Sequence, residues 1–93
     1  MKGYEIKKIV GAYYNVDMDS KSRKREFVRP RQVAHYLCRK YTNLSFYLIT
    51  RVFPNTKNHT TIIFGVANIE KLLKSDKETI SNVIRLEKII KNK

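Results

Sequence analysis

Ile62, Val66, Ile69 and Leu73 recur at spacings of four, three and four, the repeat of one helix face and not the two-residue alternation of a strand. The same rhythm returns along the chain, and strand signals are few. Ile6, Ile9, Val10, Tyr13 and Tyr14 mark a first amphipathic helix ending near Asn15. Pro30 suits the first turn of a longer helix that carries Val33, Ala34, Leu37, Cys38 and Tyr41 on one face and stops at Thr42-Asn43. Ser45 is a natural N-cap for a short helix with Leu48, Ile49, Val52 and Phe53, and Pro54-Asn55-Thr56 interrupts the chain after it. The helix of the opening repeat then runs from about Asn58 to Lys74. Ser75-Asp76-Lys77-Glu78 has the Ser-x-x-Glu spacing of a capping box for a last helix with Ile80, Val83, Ile84 and Ile90 inward. The expected fold is all-α, a compact helical bundle containing a helix-turn-helix whose second helix is long.

A chain of 93 residues is one domain with one core, spanning 1–93, and is large enough to fold without disulfides. The single cysteine, Cys38, has no partner for an internal bridge and no neighbour at metal-ligand spacing. It reads as a small buried hydrophobe in a reducing compartment. No stretch reaches bilayer-spanning length, so a soluble, cytoplasmic protein is expected.

Charge narrows the partner. Twenty Lys plus Arg against eight Asp plus Glu give a net charge of +12, which points to a polyanion without separating DNA from RNA or an anionic membrane. The distribution is uneven. Lys21, Arg23, Lys24, Arg25, Arg29 and Arg31 crowd one segment with Glu26 as its only acid, whereas Asp76, Glu78 and Glu87 are interleaved with the C-terminal lysines as on a solvated helix face.

The residue inventory argues against an enzyme: there is no glycine-rich phosphate loop, no HExxH and no pair of acids placed for acid–base work. Asp17 and Asp19 fit the turn after the first helix, and no cofactor, metal or small-molecule substrate is expected. His35 reads as a helix-surface or partly packed residue. The aromatics fall mostly on apolar faces, so they read as core, with Phe27 and Tyr47 the candidates for base stacking. His59 stands apart, because Lys57, Asn58, Thr60 and Thr61 around it all offer hydrogen bonds or charge. Plain capping explains Asn58 but not a lysine at the positive end of a helix dipole, where an anion is the natural neighbour. Polar groups on the first turn of a helix suit base edges in a major groove.

Three ordered motifs, Arg29-Pro30-Arg31-Gln32, Thr42-Asn43-Leu44-Ser45 and Lys57-Asn58-His59-Thr60-Thr61-Ile62-Ile63, resemble the C-terminal DNA-binding domain of the DnaA family of bacterial replication initiators. Ala12-Tyr13-Tyr14-Asn15-Val16 and Ser20-Lys21-Ser22-Arg23-Lys24-Arg25 match as well, so the likeness covers nearly the whole chain. The resemblance implies a domain that reads a nine-base-pair DnaA box in double-stranded DNA and takes part in origin recognition or its regulation. By position, Arg23 falls on the family's minor-groove arginine and Asn58, His59, Thr60 and Thr61 on its major-groove signature. Arg31, Gln32, Arg39 and Ser45 fall at or near its phosphate contacts, and Lys21, Arg25 and Lys57 are expected to add further phosphate contacts. A monomer is expected.

The sequence departs from the family in places. Asn58 stands where the family usually has Asp, exchanging an acceptor suited to cytosine N4 for an amide suited to adenine. Thr50 replaces a usual Gly or Ala, Tyr47 a frequent Pro, and the turn at Pro54-Asn55-Thr56 is about one residue longer than the common form. No ATPase segment or Walker A sequence is present in this chain. Met1-Lys2-Gly3 resembles a natural start and favours a free-standing binder, such as a transcriptional regulator, over an excised domain. The reading from another class is a basic helical adaptor that binds RNA or an acidic protein.

Overall fold

The computed structural model describes residues 2–56 and 58–93. Along them run α1 (Gly3–Tyr14), α2 (Arg25–Tyr41), α3 (Phe46–Ile49), α4 (His59–Leu72) and α5 (Lys77–Lys91), with no strand among the described residues. α2 lies at the centre, in contact with α1, α3 and α4, while α5 closes the bundle against α1 and α4. Each helix contributes its apolar stripe to one core: Ile6 and Val10 from α1, Val33 and Leu37 from α2, Ile49 from α3, Ile62 and Ile69 from α4, Val83 and Leu86 from α5. Phe53, 2% exposed, plugs the space behind α3. Cys38 is buried as expected, and burial pushes its thiol up to about 12 while its Sγ faces the Gly3 carbonyl at 3.7 Å.

Helix boundaries follow local chemistry. Asn15 ends α1 in the left-handed conformation at φ 54°, a region in which Asn is among the few residues tolerated without strain. The Ser45 hydroxyl accepts from the Leu48 N–H at 3.2 Å and the Asn58 side chain accepts from the Thr60 N–H at 2.9 Å, so both expected caps are in place.

Four expectations are corrected. α2 starts at Arg25, five residues before Pro30, so the proline is inside the helix, where its ring has no N–H to give the Glu26 carbonyl. α5 is capped by Asp76, whose carboxylate accepts from the Thr79 N–H at 3.1 Å, and not by Ser75 with Glu78. Ile84, expected inward, is 48% exposed, and Thr79 and Leu86 are inward instead. His35, read as a surface or partly packed residue, is 3% exposed.

His35 sits where α2 and α4 come closest. A Cβ on Gly65 of α4 would lie 2.8 Å from His35 Nδ1 and 3.3 Å from Gln32 Cγ, so glycine is what lets the two helices approach this far. The imidazole meets the Phe53 ring edge-on at 4.6 Å, and neither ring nitrogen has a hydrogen-bond partner among the described residues. Burial, helped by the Arg31 charge, pushes its pKa down to about 4.

A histidine held neutral in the fold but free to protonate when unfolded ties stability to pH. Its contribution is fully present above pH 6.5 and is lost as pH falls toward 4, by about 3 kcal/mol. Urea unfolding across this range should therefore show the chain losing stability more steeply than a His35→Leu variant, in which titration of Asp76 and Glu87 is retained. Parallel curves for the two proteins would exclude a neutral buried imidazole.

Candidate nucleic-acid interface

The basic segment between α1 and α2 is organised by its serines. The Ser20 and Ser22 hydroxyls accept from the N–H groups of Ser22 and Lys24, each at 3.2 Å, fixing an extended path in which every second residue faces the protein. Ser20 and Ser22 are half-buried, and Lys21 and Arg23, which alternate with them, are exposed. Arg31, nearly two turns into α2, donates from Nη1 to the Ser20 carbonyl and from Nη2 to the Ser22 carbonyl. At the start of the loop Asp19 pairs with Lys7 at 2.6 Å and accepts from the Asn55 amide through its carbonyl.

Opposite this loop is the first turn of α4. Asn58, His59 and Thr61 are exposed there and Thr60 is half-buried. Between loop and helix lies an open groove of about 480 Å³, lined by Lys21 and Arg23 on one side, Arg31, Gln32 and His35 on its floor, and Asn55, Thr56, Asn58 and Thr61 on the other. Residues from 21 to 61 in the sequence thus share one concavity. Among the described residues the ion pairs are Lys7 with Asp19, Arg29 with Asp76 and Lys40 with Glu87, so no ion pair engages Lys21, Arg23 or Lys24. An unneutralised cationic rim beside exposed hydrogen-bonding groups is a surface for a polyanion.

Other expected contact residues are placed differently. Arg25, the first residue of α2, lines a separate groove with Glu78 and Asn82. Arg39 donates to the Leu44 carbonyl at 2.9 Å with its guanidinium 4.6 Å from the Phe46 ring centre, near Ser45 and away from the basic loop. Gln32 accepts from the Asn68 amide at 2.7 Å, tying α2 to α4. Lys57 lies outside the described residues. Asn58 uses its side-chain oxygen as the cap of α4, and an amide oxygen with two lone pairs retains one acceptor site beside its NH₂ donors.

Sequence reasoning missed Asn55 and Thr56 as walls of the groove, reading them only as a helix break. It also missed the outward-facing Phe64, 67% exposed, whose position one turn beyond Thr60 and off the Ile62–Val66–Ile69 stripe was the available signal. Of the two aromatics considered for stacking, Tyr47 is 60% exposed with Arg51 over its ring at 5.9 Å, and Phe27 is half-buried.

Comparison with known proteins places this arrangement. The family described as "Bacterial dnaA protein helix-turn-helix" matches residues 4–69. A chromosomal replication initiator protein DnaA from Wolbachia sp. subsp. Brugia malayi is 38% identical over 90 residues, covering 94% of this chain and 19% of that protein. The DnaA of Wolbachia pipientis wMel is 37% identical over 90 residues with the same coverage, 94% and 19%. The chain spans about a fifth of the length of these relatives.

The Arg31 clamp makes a local prediction. Hydrogen bonds from a charged donor contribute about 1.5 to 3 kcal/mol each, so Arg31→Ala should speed amide exchange at Ser22 and Lys24 roughly tenfold or more while core amides of α2 stay protected. Unchanged exchange in the loop, followed by mass spectrometry or NMR, would show that the serines alone hold it.

Proposed function

The chain belongs to the family of bacterial DnaA helix-turn-helix domains, and from that membership we propose that it binds double-stranded DNA at DnaA-box-like sites in replication origin recognition or its regulation. The observation that carries the proposal is the groove itself, which sets an unneutralised basic loop beside the polar first turn of α4. α4 enters the major groove with His59, Thr60 and Thr61 toward base edges, the threonine methyls suiting thymine methyls, and with the free donors of Asn58 toward adenine or a phosphate. Arg23 reaches the neighbouring minor groove, where a narrow A·T-rich tract concentrates negative potential. Lys21, Arg25, Arg31, Gln32, Arg39 and Ser45 meet phosphates, and Arg31 also holds the loop that carries Arg23. The chain acts by binding, in the nucleoid, with no catalytic step of its own.

Two measurements test this. With about five or six phosphates neutralised, log affinity for duplex DNA against log salt should slope by about −4.5 to −5.5, and duplex RNA or an acidic protein should compete weakly. A flat salt dependence, or preference for RNA or the acidic protein, would replace DNA as the partner.

The two-groove docking has a separate signature. Arg23→Ala should lose affinity mainly where the flank is A·T-rich and little where that flank is G·C, whereas Lys24→Ala should lose the same on both. Equal losses for the two variants on both flanks would reduce Arg23 to one surface charge among several.

A further inference from the structure

Phe64 is the most exposed large apolar side chain among the described residues, at 67%. It lies on the outward face of α4 with Thr60, Ala67 and Lys71, opposite the buried stripe of Ile62, Gly65, Val66 and Ile69. Burying such a ring is favourable, and nothing among the described residues covers it. Ile63, its neighbour in sequence, points about 100° around the helix and is 37% exposed. Four residues of helix place Phe64 about 6 Å beyond Thr60 along the same face. The helix stays directed by its packing on α2, where Gly65 admits His35, so the ring cannot turn inward without undoing that contact.

The argument rests on the DNA reading above. A helix laid with Thr60 against the floor of a major groove carries Phe64 into the same groove, one or more base pairs further on. A phenyl ring has no hydrogen bond to offer there. The apolar feature that base pairs present on that floor is the thymine C5-methyl group. We infer that Phe64 is a specificity-determining residue that recognises a thymine methyl in the major groove, beyond the pairs facing Thr60 and Thr61. It selects T·A over C·G at that position by apolar contact, since cytosine lacks the methyl.

The test is a set of double-mutant cycles on the intact chain, using a duplex selected from a random-sequence pool and variants in which each thymine in turn is replaced by deoxyuracil, which removes only the methyl. One thymine should cost the wild-type chain about fourfold in affinity on replacement. For Phe64→Ala that penalty should vanish, while penalties at thymines facing Thr60 and Thr61 persist. Because Phe64 is exposed, its thermal unfolding midpoint should match wild type. A site-selective chain whose deoxyuracil penalties are all unchanged in Phe64→Ala overturns the role of Phe64 and leaves the DNA reading standing. Self-association that disappears in Phe64→Ala with DNA binding intact overturns it in favour of a second copy as the occupant. A wild-type chain with no preference among duplex sequences overturns the DNA reading and the role of Phe64 together.

Discussion

The approach of α2 and α4 at Gly65 is the contact on which the other surfaces depend. His35 and Gln32 fill the space that a side chain on Gly65 would occupy, and Asn68 reaches back to Gln32 from the same side of α4. One turn before His35 on α2 is Arg31, which holds the Ser20 and Ser22 carbonyls. A single stretch of α2, from Arg31 to His35, therefore sets both the pose of the basic loop and the pose of α4. The distance between the two elements is a property of one helix, and interiors packed at crystal-like density transmit displacement instead of absorbing it.

Charge is arranged to match. The net +12 of the chain works against compaction, and the paired acids tie elements together: Asp19 on Lys7, Asp76 on Arg29, Glu87 on Lys40. Glu87 also accepts from the Tyr41 hydroxyl, so α2 and α5 are linked by a small network and not by one exposed pair. Among the described residues, Lys21 and Arg23 are cations without an ion-pair partner that stand on the groove rim, while others such as Arg51, Lys71 and Lys88 are spread over the rest of the surface.

Most of the architecture was legible in the sequence because amphipathic periodicity and side-chain caps are local. Ser45 and Asn58 each satisfy an N–H two or three residues ahead, and no distant contact competes. The start of α2 was not legible, because proline favours the first turn as an isolated preference while packing of the preceding turn carries the helix back to Arg25. Ser75 and Asp76 are both good caps one residue apart, and packing of α5 on α1 and α4 selects which apolar residues face in, so Ile84 faces out and Leu86 in. His35 and Phe64 show the limit of residue type as a guide. A histidine is buried because a glycine 30 positions away makes room for it, and a phenylalanine is exposed because its helix face has no partner among the described residues. The groove belongs to the same class, since its walls are far apart in sequence.

The alternation of Ser20 and Ser22 in the basic loop has a kinetic meaning. Backbone order costs about 1 to 2 kcal/mol per residue, and here it is already met when the domain folds. On the DNA reading proposed above, a duplex arriving at Lys21 and Arg23 meets a loop whose backbone is already ordered, so binding proceeds without a coupled folding step there and carries a correspondingly small heat-capacity change. Long-range attraction by the exposed cations then governs how fast encounters succeed, while residence time is left to the side chains of α4.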